Sequence, residues 1–165
     1  MDYTPGAKKA AEVLEELAVT FEIVGRLFGK GRQYGAFCML GHTDLQYMPR
    51  TVSMLYGDMP DATRCYYLAT EKVARLSRNP EHVSSFQSRA PDEDKYGGAI
   101  RLPKARSPII GFMAWSSFPE LVDEAYMLAV AMEAGLMTFD DAVVIANVSN
   151  NEFFPKICHE TAKKW

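Results

Sequence analysis

Residues 94–115 read DKYGGAIRLPKARSPIIGFMAW, and this stretch is the strongest indication of the fold. A double glycine precedes a short apolar run at Ala99–Leu102, and a longer apolar run follows at Pro108–Trp115. The longer run holds no charged residue, which is typical of a strand buried on both faces. Because the residues between the runs are mostly polar, we expect a hairpin there, with the two runs as antiparallel neighbours.

The double glycine, Gly97-Gly98, raises the question of what its backbone does. Glycine loses more conformational entropy on folding than other residues, so a pair indicates a sharp turn or a close approach by another group. Two interpretations stay open at this point. The pair makes the turn into the hairpin, or its backbone lines a binding pocket.

Working outward, apolar periodicity predicts helices and a second strand pair. Apolar residues at steps of three and four predict a helix over Ala7–Phe28. The other predicted strands are Tyr34–Leu40 and Leu45–Leu55, around a turn at Gly41–Asp44. A second helix is predicted to be entered at Asp58–Asp61 and to run through Arg64 to about Arg78, followed by a short helix or loop at Glu81–Glu93. The remaining predictions are a helix capped by Ser117, with Pro119 near its first turn and Glu120 three residues after the cap, and helices at Phe139–Val148 and Asn151–Lys164. Pro49 within the second strand favours an edge strand or a break.

This order of elements predicts an α+β fold. Hairpins dominate it, and strands do not alternate with helices through phosphate-binding turns, as they do in a doubly wound parallel sheet. We therefore expect an antiparallel sheet of about four to five strands packed against helices. With no repeat or linker, residues 1–165 are interpreted as one domain, in which 138–165 form an added helical tail.

The composition argues against several functional classes. The chain of 165 residues is 48% hydrophobic and 24% charged, as in an ordinary globular protein. A net charge of −3 gives no electrostatic reason to expect a nucleic-acid partner. No segment reaches the about 18 apolar residues of a membrane helix, so no membrane partner is expected. The acidic N-terminal segment MDYTPGAKKAAEVLEEL does not look like a secretory signal, and we expect a cytoplasmic protein.

Motifs for catalysis or metal binding are missing from the sequence. Cys38, Cys65 and Cys158 are widely spaced and odd in number, which favours buried thiols over a metal knuckle or a disulfide framework. The chain has no Gly-x-Ser-x-Gly elbow, no phosphate-binding loop and no His-Glu-x-x-His helix. The catalytic residues, if there are any, are unknown from sequence, and no metal is predicted.

Several charged residues lie where a pocket is possible. Lys72 shares a helical face with apolar residues, so either its stem covers the core or its ammonium points into a pocket. Asp123 and Glu124 form either a solvated pair near a helix start or a group that binds substrate or pairs with Lys72. Arg75 and Arg101 are either surface charges or, together with Lys72, a clamp for a carboxylate or a propionate.

Four segments in this order resemble the GlcG/HbpS family of haem-binding or haem-degrading-like proteins. They are ATEKVARLSR (Ala69–Arg78), YGGAIRLP (Tyr96–Pro103), IIGFMAWSS (Ile109–Ser117) and PELVDEAYMLAVA (Pro119–Ala131). The resemblance spans residues 35–135 and implies a pocket beside the double glycine. The ligand-binding candidates are Lys72, Arg75, Tyr96, Gly97, Gly98, Asp123 and Glu124.

The resemblance also implies haem as a cofactor and a homo-oligomer as the assembly. Haem iron most often takes a neutral imidazole, and the chain has three histidines: His42, His82 and His159. We prefer His42 as the axial ligand, because its turn replaces the family's glycine turn. Aromatic residues in the tail suit an interface: Phe153, Phe154 and Trp165.

The first expectation for function is therefore a protein that binds a small molecule or haem and senses, stores or delivers it. Two alternatives stay open. One is an enzyme, or an accessory subunit of one, that acts on a small organic acid. The other is an oligomeric assembly protein whose tail docks onto a partner.

Overall fold

A computed structural model describes residues 5–42, 51–57 and 61–163 of the chain. The helices are α1 (Pro5–Phe28), α2 (Asp61–Ser77), α3 (Glu120–Glu133), α4 (Phe139–Ser149) and α5 (Phe154–Ala162), and the strands are β1 (Gly35–Gly41), β2 (Thr51–Tyr56), β3 (Ala99–Arg101) and β4 (Ile110–Ser116). Two single-turn 3-10 helices, Ser85–Ser88 and Pro91–Glu93, occupy the segment for which a short helix or loop was predicted.

The four described strands form one antiparallel sheet in the order β2-β1-β4-β3. The predicted hairpin is confirmed, since β3 pairs antiparallel with β4 and Ile100 lies opposite Met113. The α+β fold with an antiparallel sheet is also confirmed. The second strand is described only from Thr51, so the predicted turn residues Thr43 and Asp44, like Pro49, lie outside the described residues.

Helices cover both faces of the sheet, which explains why β4 is buried along its whole length. Alternate residues of a strand point to opposite faces. Phe112 and Ala114 face α2 in one apolar cluster, whereas Met113 and Trp115 face the larger core that α1 and α3 build. The apolar segment that forms β4 therefore lies in the middle of three layers, between the helices on the two faces of the sheet.

The start of α3 differs from the prediction. The helix begins at Glu120 after Pro119, and no side chain caps it. The Ser117 hydroxyl, predicted to be the cap, instead accepts a hydrogen bond from Trp115 Nε1 at 2.8 Å. Because the indole N–H is buried, it needs an acceptor, and this need outweighs the local preference of serine for a helix N-terminus.

The tail of two helices is confirmed, but its predicted role as an aromatic interface is wrong for Phe154. This side chain is 2% exposed and packs in the main core with Ile157. Phe153 is half-buried and meets Phe28 edge-on, with ring centroids 5.2 Å apart. Trp165 lies outside the described residues. Phe153 and Phe154 thus attach the tail to the domain.

Within the described part of the chain, no helix combines the length and apolarity needed to cross a bilayer. The cysteine prediction holds for two thiols: Cys38 and Cys65 are buried, while Cys158 is partly buried. Burial raises the pKa of the Cys158 thiol to about 11, so this side chain is not an activated nucleophile.

Candidate functional site

A cleft of about 750 Å³ opens where the end of β4 meets the N-terminal half of α2. The loop before β3 and the start of α3 complete its walls. Its lining residues are Arg32, Tyr34, Arg64, Cys65, Leu68, Lys72, Arg89, Pro91, Tyr96, Ser116, Ser117, Phe118, Pro119, Glu120 and Asp123. Three residues predicted to bind a ligand, Lys72, Tyr96 and Asp123, are among them.

A buried ion pair lies in the wall of this cleft. Lys72 Nζ donates to Asp123 Oδ2 at 2.8 Å, and the two side chains are each 2% exposed. Lys72 also donates to the carbonyl of Trp115 at 2.9 Å. The interpretation of Asp123 as a solvated residue is therefore wrong, and pairing with Lys72 is what the structure shows.

The backbone that precedes α3 holds the Asp123 carboxylate in place. Asp123 Oδ1 accepts from the backbone N–H of Phe118 at 2.9 Å and of Ser117 at 3.3 Å. Burial raises the pKa of the Asp123 carboxyl to about 6, although the Lys72 ammonium and both backbone donors act in the opposite direction. Burial thus disfavours the charged form of the Asp123 carboxyl group, and the Lys72 ammonium and the two backbone N–H groups favour it.

Gly98 answers part of the question about the double glycine. Its φ is +114°, a conformation that other residues rarely adopt. A Cβ at this position would lie 2.7 Å from Asp123 Cβ and 2.8 Å from Lys72 Nζ. Gly98 thus allows the backbone that enters β3 to pack directly onto the buried ion pair.

Gly97 has a different role, because its N–H donates to Glu120 Oε2 at 2.8 Å. The other oxygen of this carboxylate, Oε1, lies 2.6 Å from Arg89 Nη2. Both Arg89 and Glu120 line the cleft. Gly97 and Gly98 lie in irregular backbone that leads into β3, and they contact residues that line the cleft: Gly97 contacts Glu120, and Gly98 packs on Lys72 and Asp123.

The Arg75 side chain bonds to other residues of the chain, and it is not among the residues that line the cleft. Its guanidinium donates to the carbonyls of Ser85 at 2.7 Å and Tyr96 at 2.5 Å. It also bonds Ser88 and pairs with Glu71. Arg75 consequently fixes the loop that carries Tyr96.

Glu124, the neighbour of Asp123, points away from the cleft into a separate polar cluster. Its carboxylate accepts from Asn151 Nδ2 at 2.9 Å and from the hydroxyls of Ser84 and Ser149. Burial raises the pKa of Glu124, while these three donors oppose the shift. Consecutive helical residues point about 100° apart, which explains why two adjacent acids enter different environments.

Arg101 is half-buried and does not hold a ligand with Lys72. It donates to the carbonyls of Leu76, Asn79 and His82 at 2.8 to 2.9 Å, which satisfies backbone acceptors around the C-terminal end of α2. Its predicted contribution to a carboxylate clamp therefore has no support in these contacts.

His42 is buried at the opposite end of the sheet from the cleft. Its Nε2 lies 2.7 Å from the Ser107 carbonyl oxygen. In the ladder between β1 and β4, Gly41 lies opposite Ile110 and Ala36 opposite Ser116. At a rise of about 3.3 Å per residue, this offset separates His42 from the cleft end of β4 by roughly 20 Å. The sheet thus does not bring His42 together with the other candidates.

The charges in the cleft favour an anionic ligand. The lining includes the four cations Arg32, Arg64, Lys72 and Arg89 and the two acids Glu120 and Asp123. Sequence reasoning missed Arg32, Arg89 and Glu120. No periodic pattern marks the two arginines, because both lie in connecting segments. Glu120 was noted only as a residue of a capping sequence.

No group of three or more His, Cys, Asp or Glu residues within the described ranges is arranged to hold a metal ion. Comparisons of the chain with family models, with curated proteins and with solved structures found no match. The geometry and charge of the cleft are therefore the features that indicate a function.

Proposed function

We propose that this protein binds a small organic anion in the cleft, as a ligand-binding protein of the type that the GlcG/HbpS resemblance suggested. The observation that carries the proposal is the charge of the lining, where four cations face two acids. Both acids are already paired, Asp123 with Lys72 and Glu120 with Arg89. An anion that enters the cleft therefore meets two further cations: Arg32, which donates to the Ser117 carbonyl, and Arg64, which forms an exposed pair with Asp94 outside the lining.

The size and remaining surface of the cleft suit a ligand that also has an apolar part. Small-molecule pockets commonly measure about 300–1,000 Å³ and combine apolar walls with a few polar groups. The cleft, at about 750 Å³, lies within that range. Its apolar and aromatic lining comes from Tyr34, Leu68, Tyr96 and Phe118. We infer a carboxylate attached to a small hydrocarbon or aromatic body.

Haem fits the cleft residues poorly. Among the described residues, none that lines the cleft is a histidine, and the preferred axial ligand, His42, lies at the other end of the sheet with Nε2 against the Ser107 carbonyl. The arginines suit propionates, but they suit any other carboxylate equally well. We therefore propose a small anion as the ligand, and we expect a haemin absorbance titration to be the same for the wild type and His42→Ala.

Calorimetric titration with a panel of small mono- and dicarboxylates tests the proposal. Arg64 is suited to the test because its side chain is 72% exposed and pairs only loosely, at 3.3 Å, with Asp94. Arg64→Gln is expected to weaken binding by about three- to tenfold through loss of one charge-assisted contact. Arg26→Gln is the matched control, since Arg26 is an exposed arginine that does not line the cleft.

Two results would overturn the proposal. One is the absence of saturable binding by any carboxylate in the panel. The other is a saturable Soret shift with haemin that His42→Ala abolishes, because it would place the ligand at the opposite end of the sheet.

We also propose that the protein forms a homo-oligomer. Three apolar side chains of α4 are exposed: Phe139 at 58%, Val144 at 60% and Val148 at 42%. Val144 and Val148 are four residues apart and share one face of α4, and an exposed apolar face favours an interface, whereas Phe139 lies on the other side of the helix and stacks on Phe154. The cytoplasmic location expected from the sequence stays a prediction.

A further inference from the structure

The carboxylate of Glu120 is bound as a ligand carboxylate would be. One oxygen accepts from the Gly97 N–H at 2.8 Å, and the other lies 2.6 Å from Arg89 Nη2. A backbone amide and a guanidinium thus hold the two oxygens of one carboxylate, beside a cleft whose lining is positive. Such two-point, charge-assisted binding is the arrangement by which proteins recognise free carboxylates.

We propose that Glu120 is an exchangeable internal occupant of a carboxylate-binding site, and that the carboxylate of the ligand replaces it at the Gly97 N–H and Arg89. This inference rests on the proposed function, because it names where the anionic group of the ligand binds. In the structure described here the side chain of the protein itself fills that position, so binding begins with its displacement.

The Gly97 N–H requires a hydrogen-bond acceptor whether or not a ligand is bound. Gly97 is buried, and a buried backbone N–H is costly when it has no acceptor. Glu120 supplies that acceptor in the absence of ligand. A ligand carboxylate offers the same two oxygens with the same charge, so the exchange leaves no buried donor unsatisfied.

The exposure of the partners makes the exchange inexpensive. The side chains of Arg89 and Glu120 are 41% and 18% exposed, and ion pairs this close to solvent contribute little to stability. Glu120 is the first residue of α3, so rotation of its side chain releases both contacts without moving the helix. The contrast is Asp123, which is buried and also holds two backbone N–H groups.

Two neighbours of the site keep its donors in position for a carboxylate. The Arg89 guanidinium lies over the Phe86 ring, 4.9 Å from its centroid, which restrains the orientation of the guanidinium. A Cβ at Gly97 would lie 3.0 Å from Phe86 Cδ2 and 3.4 Å from Glu120 Oε2. Glycine at this position therefore leaves room for an oxygen acceptor between the ring and the backbone.

Rescue of Glu120→Ala by acetate tests the inference. Removing the side chain leaves the Gly97 N–H and Arg89 without their carboxylate, and free acetate has the chemistry to replace it. We expect a saturable rise in the melting temperature of Glu120→Ala with acetate, and a much smaller rise for the wild type. Chloride at equal ionic strength should produce no such difference.

Matched variants separate this effect from general charge effects. Glu93→Ala removes another glutamate that pairs with a neighbouring lysine, but it lies outside the cleft lining, so acetate should not stabilise it beyond the wild type. Adding Arg89→Gln to Glu120→Ala should abolish the rescue. If Glu120→Ala does not fold, Glu120→Gln replaces it, since the amide oxygen still serves Gly97 while the charge opposite Arg89 is lost.

The affinity for a carboxylate from the panel distinguishes this inference from the proposed function. A site filled by its own side chain about nine-tenths of the time shows about one tenth of its intrinsic affinity, so Glu120→Ala should bind about tenfold more tightly. If the wild type binds but Glu120→Ala shows neither tighter binding nor rescue, the inference is overturned and the proposed function stands. If acetate rescues Glu120→Ala but the wild type binds no carboxylate of the panel, the site stands and the proposed function fails.

Discussion

At Gly98, the backbone conformation and the packing of the candidate site impose the same requirement. The positive φ of Gly98 is strained for any residue that has a Cβ, and the ion pair of Lys72 and Asp123 leaves no space for that atom. Gly97 differs, because its φ is not positive and its importance comes from the N–H that it presents to Glu120. The two adjacent glycines therefore have different physical roles.

Gly98→Ala should be strongly destabilising. Backbone strain and the overlap with the ion pair together are expected to lower the free energy of unfolding by about 2–4 kcal/mol. Urea denaturation measures the change. Gly31→Ala is the control, because Gly31 has a φ of +82° but no atom within 4 Å of its ideal Cβ, so it should lose only about 1 kcal/mol. Equal losses in the two variants would contradict the packing role of Gly98.

Lys72→Met should lower the free energy of unfolding more by itself than in combination with Asp123→Asn. It leaves the Asp123 carboxylate buried without its cation, which is expected to cost about 3–5 kcal/mol near neutral pH. Adding Asp123→Asn removes the isolated charge and should return the stability to within about 2 kcal/mol of the wild type. A double-mutant cycle from denaturant unfolding measures the coupling. Additive losses would contradict a direct pairing.

The raised pKa of Asp123 predicts that the stability of the protein depends on pH. Its folded-state pKa, raised to about 6, exceeds the ordinary value of 3.8, so between these values the native state binds a proton more tightly than the unfolded state. The free energy of unfolding of the wild type should therefore fall as the pH rises from about 4 to about 6, by an amount of the order of 1–3 kcal/mol. The double variant of Lys72→Met with Asp123→Asn serves as the reference, since it keeps Glu124. Parallel pH profiles for the two proteins would contradict the raised pKa.

For individual helices and strands, the local sequence pattern predicted the structure correctly where a single physical cause, such as burial of apolar side chains, determines it. The unbroken apolarity of β4 predicted burial on both faces, because a strand in the middle layer has no polar side. The Lys72 position on an apolar helix face likewise left pairing with Asp123 among the open alternatives. The start of α3 was predicted wrongly, because the Ser117 hydroxyl accepts from the buried indole of Trp115, two residues earlier in the chain, and does not cap the helix.

Ser117→Ala tests this account of the start of α3. The variant leaves Trp115 Nε1 without its acceptor, which should cost about 1–3 kcal/mol, but α3 should not fray at its first turn. Thr138→Ala is the comparison, because Thr138 caps α4 through a capping box with Asp141. It should cost about 1 kcal/mol and expose the first turn of α4 to hydrogen exchange. Selective loss of exchange protection at the start of α3 in Ser117→Ala would contradict the assignment.

At the scale of the whole molecule, the order of hairpins and helices predicted the α+β class, while the site depended on tertiary placement. Arg32, Arg64 and Arg89 lie far apart in the sequence and in no shared pattern, so only the fold shows that they line one cleft. His42 shows the opposite case. The GlcG/HbpS resemblance suggested His42 as the axial ligand at the site, whereas the β1–β4 ladder places it at the other end of the sheet.

The predicted oligomer has a direct test at this scale. Val144→Glu introduces a charge among the exposed apolar residues of α4 and should dissociate the assembly, because burying an unpaired carboxylate is costly. Val19→Glu is the control, since Val19 is also exposed, at 51%, but lies on α1. Sedimentation velocity over a range of concentrations measures the effect. A wild type that is monomeric throughout that range would contradict the proposal.

Amide chemical shifts of the ¹⁵N-labelled protein, measured during titration with acetate and succinate, show whether the cleft binds a small organic anion. We predict saturable shifts concentrated at Gly97, Ser117 and Phe118, whose backbone N–H groups lie beside the cleft and its carboxylates. The amide of His42, at the far end of the sheet, should not move. Shifts that do not saturate, or that concentrate around His42, would contradict the account.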